Sequence, residues 1–423
     1  MLDIKLLRKD PDAVSAKLQT KDPSVNLAPI LKIDDEVRKL KTKGEDLKNS
    51  RNLLSKQIGE KKRAGEETTS LMQEVSGLGS QISALDHERT EKEKELFDLL
   101  SRLPNLPRDG AKSSPDPSDN VVLREHKEKP TFSFPHKNHV ELNEKLALFD
   151  FKRAAKASGS NWPAYRGNGA KLEWALLNYM LDVHQENGFE FWLPPLLVRP
   201  EIVHGSGNLP KFEDQLFKID DEDYHLYLIP TSEAALMGLH YDEIIHKEEL
   251  PLKYVSYTPC FRREAGALGA QERGLIRMHQ FNKVEMFAFT TPEQSEAIFE
   301  EMLAGAEELL KGLDLHYRVC ELVTGDMSFA AARTIDLEVW LPGQDRYYEV
   351  SSISHCTDFQ ARRSHIRFKC KQDKPEYCHT LNGSGLATSR LMVALLENNQ
   401  REDGSVELPL ILHKYLNGMK ELK

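Results

Sequence analysis

Arg262, Glu264, Arg277, Phe281 and Glu285 all fall within residues 258–285, TPCFRREAGALGAQERGLIRMHQFNKVE. The stretch reads as a strand, a mobile glycine-rich loop (Gly266, Gly269, Gly274, with Arg273) and a return strand. Guanidinium groups bind two phosphate oxygens at once, an aromatic ring stacks on a base, and carboxylates orient amines and hydroxyls. A hairpin presenting all three kinds of group suggests a nucleotide gripped at its phosphates and its base. The plain alternative is an edge hairpin with solvated charges.

Two further segments weigh against that alternative. Tyr348-Glu349-Val350-Ser351-Ser352 adds a phosphate- or metal-type constellation. Thr380 to Arg390, TLNGSGLATSR, combines Asn382, Ser384 and Arg390 with two glycines. Singly, each has an ordinary structural reading: Phe281 as core, Glu285 as a sheet-face carboxylate, Ser384 as a turn, Arg390 as a helix-surface charge. Neither GxGxxG nor a P-loop motif occurs, so neither a Rossmann fold nor a P-loop is indicated.

The elements that must position these groups can be read from periodicity. Residues 1–26 read as a short helix and an extended piece. Ile30, Ile33, Val37, Leu40, Gly44, Leu47, Arg51, Leu54 and Ile58 then recur at alternating steps of three and four, as do Leu71, Val75, Leu78, Ile82, Leu85, Arg89, Lys92, Leu96 and Leu99. This is the seam of a coiled coil. Gly65 breaks the run, and Thr68 to Ser70 offers N-cap chemistry for the second helix. The expectation is an antiparallel helical hairpin of about 33 residues a side, an arm of roughly 50 Å. Its first helix is basic: Arg38 to Arg63 holds ten basic and three acidic residues, while Glu66 to Asp98 holds nine acidic and three basic. The two helices attract each other, and the basic one also suits a phosphate backbone.

Residues 104–120, rich in Pro, Ser, Asp and Gly, read as a linker, giving an N-terminal domain over 1–103 and a second domain over 121–423. In the latter, Lys171 to Asn187 is an amphipathic helix stopped at Gly188, and Phe189 to Val198 is a strand broken by Pro194 and Pro195. Strand-like runs at 254–262, 278–290, 334–341 and 346–354 leave little room for crossover helices. The fold class is therefore α+β, a mainly antiparallel sheet flanked by helices.

Composition sets the limits. The chain has 423 residues, 39% apolar and 29% charged, with net charge −10, which argues against a protein that coats nucleic acid over its whole surface. A local basic stripe remains compatible, since screening confines charge effects to about 10 Å. No apolar run of membrane-spanning length occurs, and the start lacks a signal peptide's apolar core, so a cytoplasmic location is expected. Five cysteines without a CxxC pair argue against a disulfide framework. The spacing of His355, Cys356, Cys370, Cys378 and His379 matches no closed zinc module, and no zinc is expected.

Taken together, the motifs resemble those of class II aminoacyl-tRNA synthetases, and in detail the bacterial-type seryl-tRNA synthetases, along essentially the whole chain. Gly188 to Pro195 resembles the first class motif, FRREAGALG…GLIRMHQFNKVE the second, and GSGLATSR the third. Thr231-Ser232-Glu233, GSGNLPKF (205–212), YYEVSS and CTDFQARR add matches, as does the helical arm. The resemblance implies activation of L-serine by ATP to seryl-adenylate and transfer of serine to the 3′ end of serine tRNA, with selenocysteine tRNA as a further acceptor in the family. It implies that Arg262 bridges the serine carboxylate and the α-phosphate, with Arg277 and Arg390 on the terminal phosphates. Arg262, Arg263, Glu264, Phe281, Glu349, Val350, Ser351, Ser352 and Arg390 would bind ATP. Thr231, Ser232, Glu233, Arg262, Glu285, Asn382 and Ser384 would bind serine. Glu349 and Ser352 would hold Mg2+. Lys39, Lys43, Lys48, Arg51, Lys56, Lys61, Lys62 and Arg63 would contact the tRNA. A homodimer is implied, one subunit's arm serving the other's active site.

The chain departs from the family pattern at Ile353, His355, Arg333, Ile335 and Arg263. His355, near the implied metal strand, is expected to tune pH dependence. Rival readings are a non-catalytic synthetase-like tRNA binder, a ligase that loads carrier proteins, and a structural coiled coil. The first needs lesions in the ATP motifs, which are intact; the second lacks the arm; the third leaves three quarters of the chain unexplained.

Overall fold

A computed structural model describes residues 1–265, 274–371 and 374–423. The loop residues Gly266, Gly269 and Arg273 lie outside the described residues. The chain divides into two compact units, Met1–Leu103 and Pro104–Lys423.

The first unit begins with two short helices, α1 (Ile4–Lys9) and α2 (Pro11–Gln19), where one helix and an extended piece were expected. The difference lies in the caps. The Asp3 carboxylate accepts from Lys5 N and that of Asp10 from Ala13 N, and Pro11 fits the first turn of a helix. Leu7, Val14 and Leu18 are buried, as are Ile30 and Ile33 of α3 (Ala28–Arg63), and Arg8 forks onto the buried Asp34 carboxylate at 2.6 and 2.7 Å.

Helix α3 and α4 (Thr69–Ser101) form the arm. Lys92–Glu36 and Lys48–Asp86 ion pairs, at 3.0 and 2.9 Å, cross between them in antiparallel register, and Lys61 pairs with Glu66 of the turn at 3.1 Å. The turn ends α3 in a Schellman motif: Glu66 N donates to Lys61 O, Gly65 N to Lys62 O, and Gly65 takes φ +77°. The Thr68 hydroxyl makes no cap hydrogen bond and faces Met72 Sδ instead, so the expected cap chemistry is not made there.

In the second unit an eight-stranded sheet holds β1 (Val121–His126), β2 (Glu190–Trp192), β3 (Leu252–Phe261), β4 (Gln280–Thr290), β5 (Tyr317–Glu321), β6 (Arg333–Leu341), β7 (Arg346–Thr357) and β8 (His379–Ala387). Their order across the sheet is β1-β5-β6-β7-β8-β4-β3-β2, antiparallel except where β2 joins β3. Helices flank the sheet. They run α5 (His139–Leu146), α6 (Phe151–Ser158), α7 (Asn168–Glu186), α8 (Pro200–Ser206), α9 (Ser232–Gly238), α10 (Ser295–Gly312), α11 (Phe359–Ser364) and α12 (Thr388–Asn398). Leu172, Leu176 and Met180 of α7, Phe299 and Met302 of α10 and Leu391 and Leu395 of α12 share one core with Val284, Met286 and Ala288 of β4. Phe287 and Phe289, on the opposite face of β4, join a second core with Val203, Leu236 and Met237. Segment 104–120 packs against this unit: buried Asn105 donates to the carbonyls of Ala330 and Cys356 at 2.9 and 2.8 Å.

Two contacts lock α7 to the sheet. Glu173, buried and pushed up to about 7 by desolvation, accepts from Thr388 Oγ1 of α12 and Asn282 Nδ2 of β4. Gly385 of β8 lies against His184, where an added Cβ would stand 2.5 Å from Nε2. Gly385→Ala should therefore destabilise the protein by about 1–3 kcal/mol. Gly79→Ala, in open space on α4, should stabilise it by about 1 kcal/mol. Urea denaturation followed by circular dichroism checks both signs.

Candidate active site

The hairpin β3–β4 builds one wall of a cleft of about 430 Å³. Its register sets Phe281 opposite Cys260, Lys283 opposite Thr258 and Glu285 opposite Ser256, while β8 sets Ser384 opposite Glu285. The two-residue period of a strand brings Phe281, Lys283 and Glu285 onto one face. Thr231, Glu233, Arg262, Glu264, Arg277, Phe281, Lys283, Glu349, Ser384 and Arg390 all line the cleft.

Cations dominate one end. The Arg262 guanidinium lies 5.2 Å from the Phe281 ring centre, and its Nε donates to Pro230 O at 3.2 Å. Arg277 pairs with Glu264 at 2.6 Å. Glu264 itself takes φ +48°, a left-handed backbone uncommon outside glycine and found at functional sites. Arg390 donates to the Glu349 carbonyl at 2.7 Å and to its carboxylate at 3.2 Å.

The other end is polar. Lys283 forms an ion pair with Glu285 and donates to Thr231 Oγ1 at 2.8 Å. Glu233 accepts from Gln360 Nε2 at 2.6 Å and Asn382 Nδ2 at 3.0 Å. Burial, with Glu285 nearby, pushes the Glu233 carboxyl up to about 7. Ser232 beside it is fully buried in α9. Lys283 and Gln360 are members that motif reading did not single out. Lys283 carried a signal nonetheless, two residues from Phe281 and from Glu285 on the same strand face.

Strand β7 forms a further wall. A bulge at Val350 lets Glu349 and Ser352, three residues apart, share a face. Both stand by Asp336 of β6: Ser352 hydrogen-bonds its carboxylate and Glu349 raises its pKa, which burial already holds well above the ordinary range. Val350 points into the core, and Ser351 Oγ donates to Ser384 O. Arg263 is exposed and lines a separate depression with Phe217 and Tyr227. Leu386 takes φ +99°, strain that β8 carries at an irregularity between Ser384 and Ala387.

Residues 1–107 match the model of the seryl-tRNA synthetase N-terminal domain, and residues 213–399 that of the tRNA synthetase class II core domain (G, H, P, S and T). The serine–tRNA ligase of Chlamydia abortus is 54% identical over 422 residues, spanning 100% of both chains. The chain belongs to the seryl-tRNA synthetase family. The serine–tRNA ligase of Chlamydia pneumoniae is 53% identical, over 100% of this chain and 99% of its own. Among solved structures, seryl-tRNA synthetase from Pyrococcus horikoshii complexed with ATP superposes with TM-score 0.94 at 39% identity, covering 100% and 99% of the two chains. The cytoplasmic serine–tRNA ligase of Naegleria fowleri, in complex with AMP, gives 0.89 at 26% with the same coverage. As in that class, the core is an antiparallel sheet flanked by helices.

On the synthetase arm, Lys43, Lys56, Lys62 and Arg63 are exposed. Lys39 pairs with Asp35, Lys48 with Asp86 across the arm and Lys61 with Glu66, while Arg51 is half-buried. Of these cations Lys48 holds the partner helix, Lys39 and Lys61 pair locally, and the rest face solvent or are half-buried. Among the described residues no helix is long and apolar enough to cross a membrane.

His355 is buried beside other cationic groups. Burial, then His379, Arg333 and Arg108 nearby, push its imidazole down to about 4. Between that value and its ordinary 6.5, the unfolded chain takes a proton that the folded chain refuses. Its contribution to stability therefore falls as pH drops through this window, and it is uncharged at neutral pH. His355→Asn should lessen the loss of stability between pH 7 and 5 by on the order of 1–2 kcal/mol. It should leave the pH–rate profile above pH 5.5 unchanged, contrary to the tuning expected from sequence. Thermal unfolding and initial rates across pH check the two parts.

Proposed function

We infer that this chain is a serine–tRNA ligase. The observation that carries the inference is the joining, in one cleft, of a guanidinium-lined end (Arg262, Arg277, Arg390) to a polar end of Thr231, Glu233, Lys283 and Ser384, with the buried Glu285 paired to Lys283 behind it. The first end suits a triphosphate and the second an amino acid with a short polar side chain. In the first step the serine carboxylate attacks the α-phosphorus in line, and pyrophosphate leaves. The attacking group is already an anion, so no strong base is required, and catalysis rests on positioning and charge neutralisation. In the second step the terminal ribose hydroxyl of the tRNA attacks the adenylate carbonyl, and AMP leaves.

Arg262, between the two ends, bridges carboxylate and α-phosphate. Phe281 stacks under the adenine, Glu264 contacts the adenine edge, Arg390 covers the other face and reaches the γ-phosphate, and Arg277 meets the terminal phosphates. Val350 and Ser351, buried in β7, take part through their backbone; Arg263 lies outside the cleft lining. Glu285 and Ser384 receive the serine hydroxyl. An analogue without that hydroxyl leaves one hydrogen-bonding position of each unfilled, which penalises alanine. Asn382 and Ser384 wall out threonine.

Glu349 and Ser352 fit Mg2+: they are oxygen donors on one strand face, and Ser352 is oriented by the buried Asp336. Bound there, the ion supplies charge neutralisation to the phosphates.

The exposed arm cations support tRNA binding, for serine tRNA and, as the family implies, selenocysteine tRNA. Phe191 and Leu193 within the first class motif, Trp174 of the preceding helix α7 and Leu197 just after the motif are all exposed apolar residues, which supports a homodimer.

Deleting about residues 35–95 should spare serine-dependent ATP–pyrophosphate exchange and lower tRNA charging by at least about 100-fold. Equal loss of both activities would contradict the arm's role. Phe281→Ala should raise KM for ATP about 10-fold, from the roughly 1–3 kcal/mol that ring stacking on a base contributes, with KM for serine little changed. Steady-state exchange kinetics decide.

A further inference from the structure

Lys283 stands between two groups that would hold the amino acid. Its ammonium donates to Thr231 Oγ1 at 2.8 Å and pairs with the Glu285 carboxylate. The side chain is 8% exposed and that of Glu285 2%, and Lys283 lines the cleft. Burying an ammonium is costly unless partners repay it, and a well-packed apolar side chain would serve stability as well or better. A lysine in this place therefore points to a role in the site.

The surroundings say which role. Lys283 faces Thr258 across β3 and Ala387 across β8, with Arg262 and Glu233 the nearby charges from the end of β3 and from α9. Thr231 also accepts from Glu233 N at 3.3 Å, so one hydroxyl ties Lys283 to the turn that aims Glu233. The phosphate end is held separately, with Arg277 on Glu264 and Arg390 on Glu349. Losing Lys283 would release Glu285 and Thr231 and leave those two pairs in place.

We propose that Lys283 is a positioning residue for amino-acid selection: its ammonium holds the Glu285 carboxylate and the Thr231 hydroxyl at the separation that accepts serine. The proposal rests on the serine–ATP reading of the cleft. Its effect falls on the amino acid and spares the nucleotide, which a merely structural role would not do.

The test is serine-dependent ATP–pyrophosphate exchange by the full chain, with KM for serine and for ATP measured separately. Exchange by the wild-type chain establishes the underlying reading, and its absence would sink that reading before any variant is compared. Lys283→Met should raise KM for serine at least about 30-fold, keep KM for ATP within about threefold, and retain a cooperative thermal transition. Lys283→Arg, which keeps the charge, should return KM for serine to within about fivefold of wild type. If Lys283→Met does not fold, Lys283→Gln, which keeps a donor to Thr231, takes its place in the same comparison. An unchanged KM for serine, equal rises in both constants, or a Lys283→Arg variant no better than Lys283→Met would overturn the proposal.

Discussion

The register of four adjacent strands, β7-β8-β4-β3, is the constraint on which the rest depends. It sets Glu285 between Ser384 and Ser256, and it places Glu349 of β7 in the lining of the same cleft with Ser352 on the same strand face. A slip of one residue would turn every side chain of β4 to the opposite face, exchanging Phe281, Lys283 and Glu285 for Asn282, Val284 and Met286. The core prevents this. Val284, Met286 and Ala288 are fully buried under α7, α10 and α12, and Phe287 and Phe289 are fully buried against α8 and α9. Apolar packing at one end of β4 thus fixes the chemistry at the other.

The second constraint is electrostatic. A cleft for a triphosphate must carry several cations, and cations held near one another repel and resist burial. Here Arg277, Lys283 and Arg390 each have a carboxylate of the fold as partner, and Arg262 lies against an aromatic ring. The carboxylates are crowded in turn, and the rise of Glu233 to about 7 reflects burial and then its neighbour Glu285. The site's charges are held by one another as well as by the strands that carry them.

Much of this was legible in sequence wherever a period or a local rule carries the information. The three-four spacing located both arm helices, Gly65 and Gly188 marked helix ends, and the order of motifs located the cleft. What was not legible depends on long-range contacts. The pairing of Lys283 with Thr231 spans 52 residues, and that of Gln360 with Glu233 spans 127. The bulge at Val350, which unites Glu349 with Ser352, exists only relative to β6. Segment 104–120 has a linker's composition, yet buries Asn105 against distant carbonyls. Thr68 has the residue type of a cap but not its geometry. At the start of the chain, Asp3 and Asp10 were local signals whose helices were short enough to be missed.

The central claim is that one cleft joins a triphosphate grip to a chamber selective for serine. ATP–pyrophosphate exchange with Mg2+, run against each of the twenty amino acids, tests it most directly. The account predicts exchange with serine and none above background with alanine or threonine. Comparable exchange with either of those two, or no exchange with any amino acid by folded protein, would contradict it.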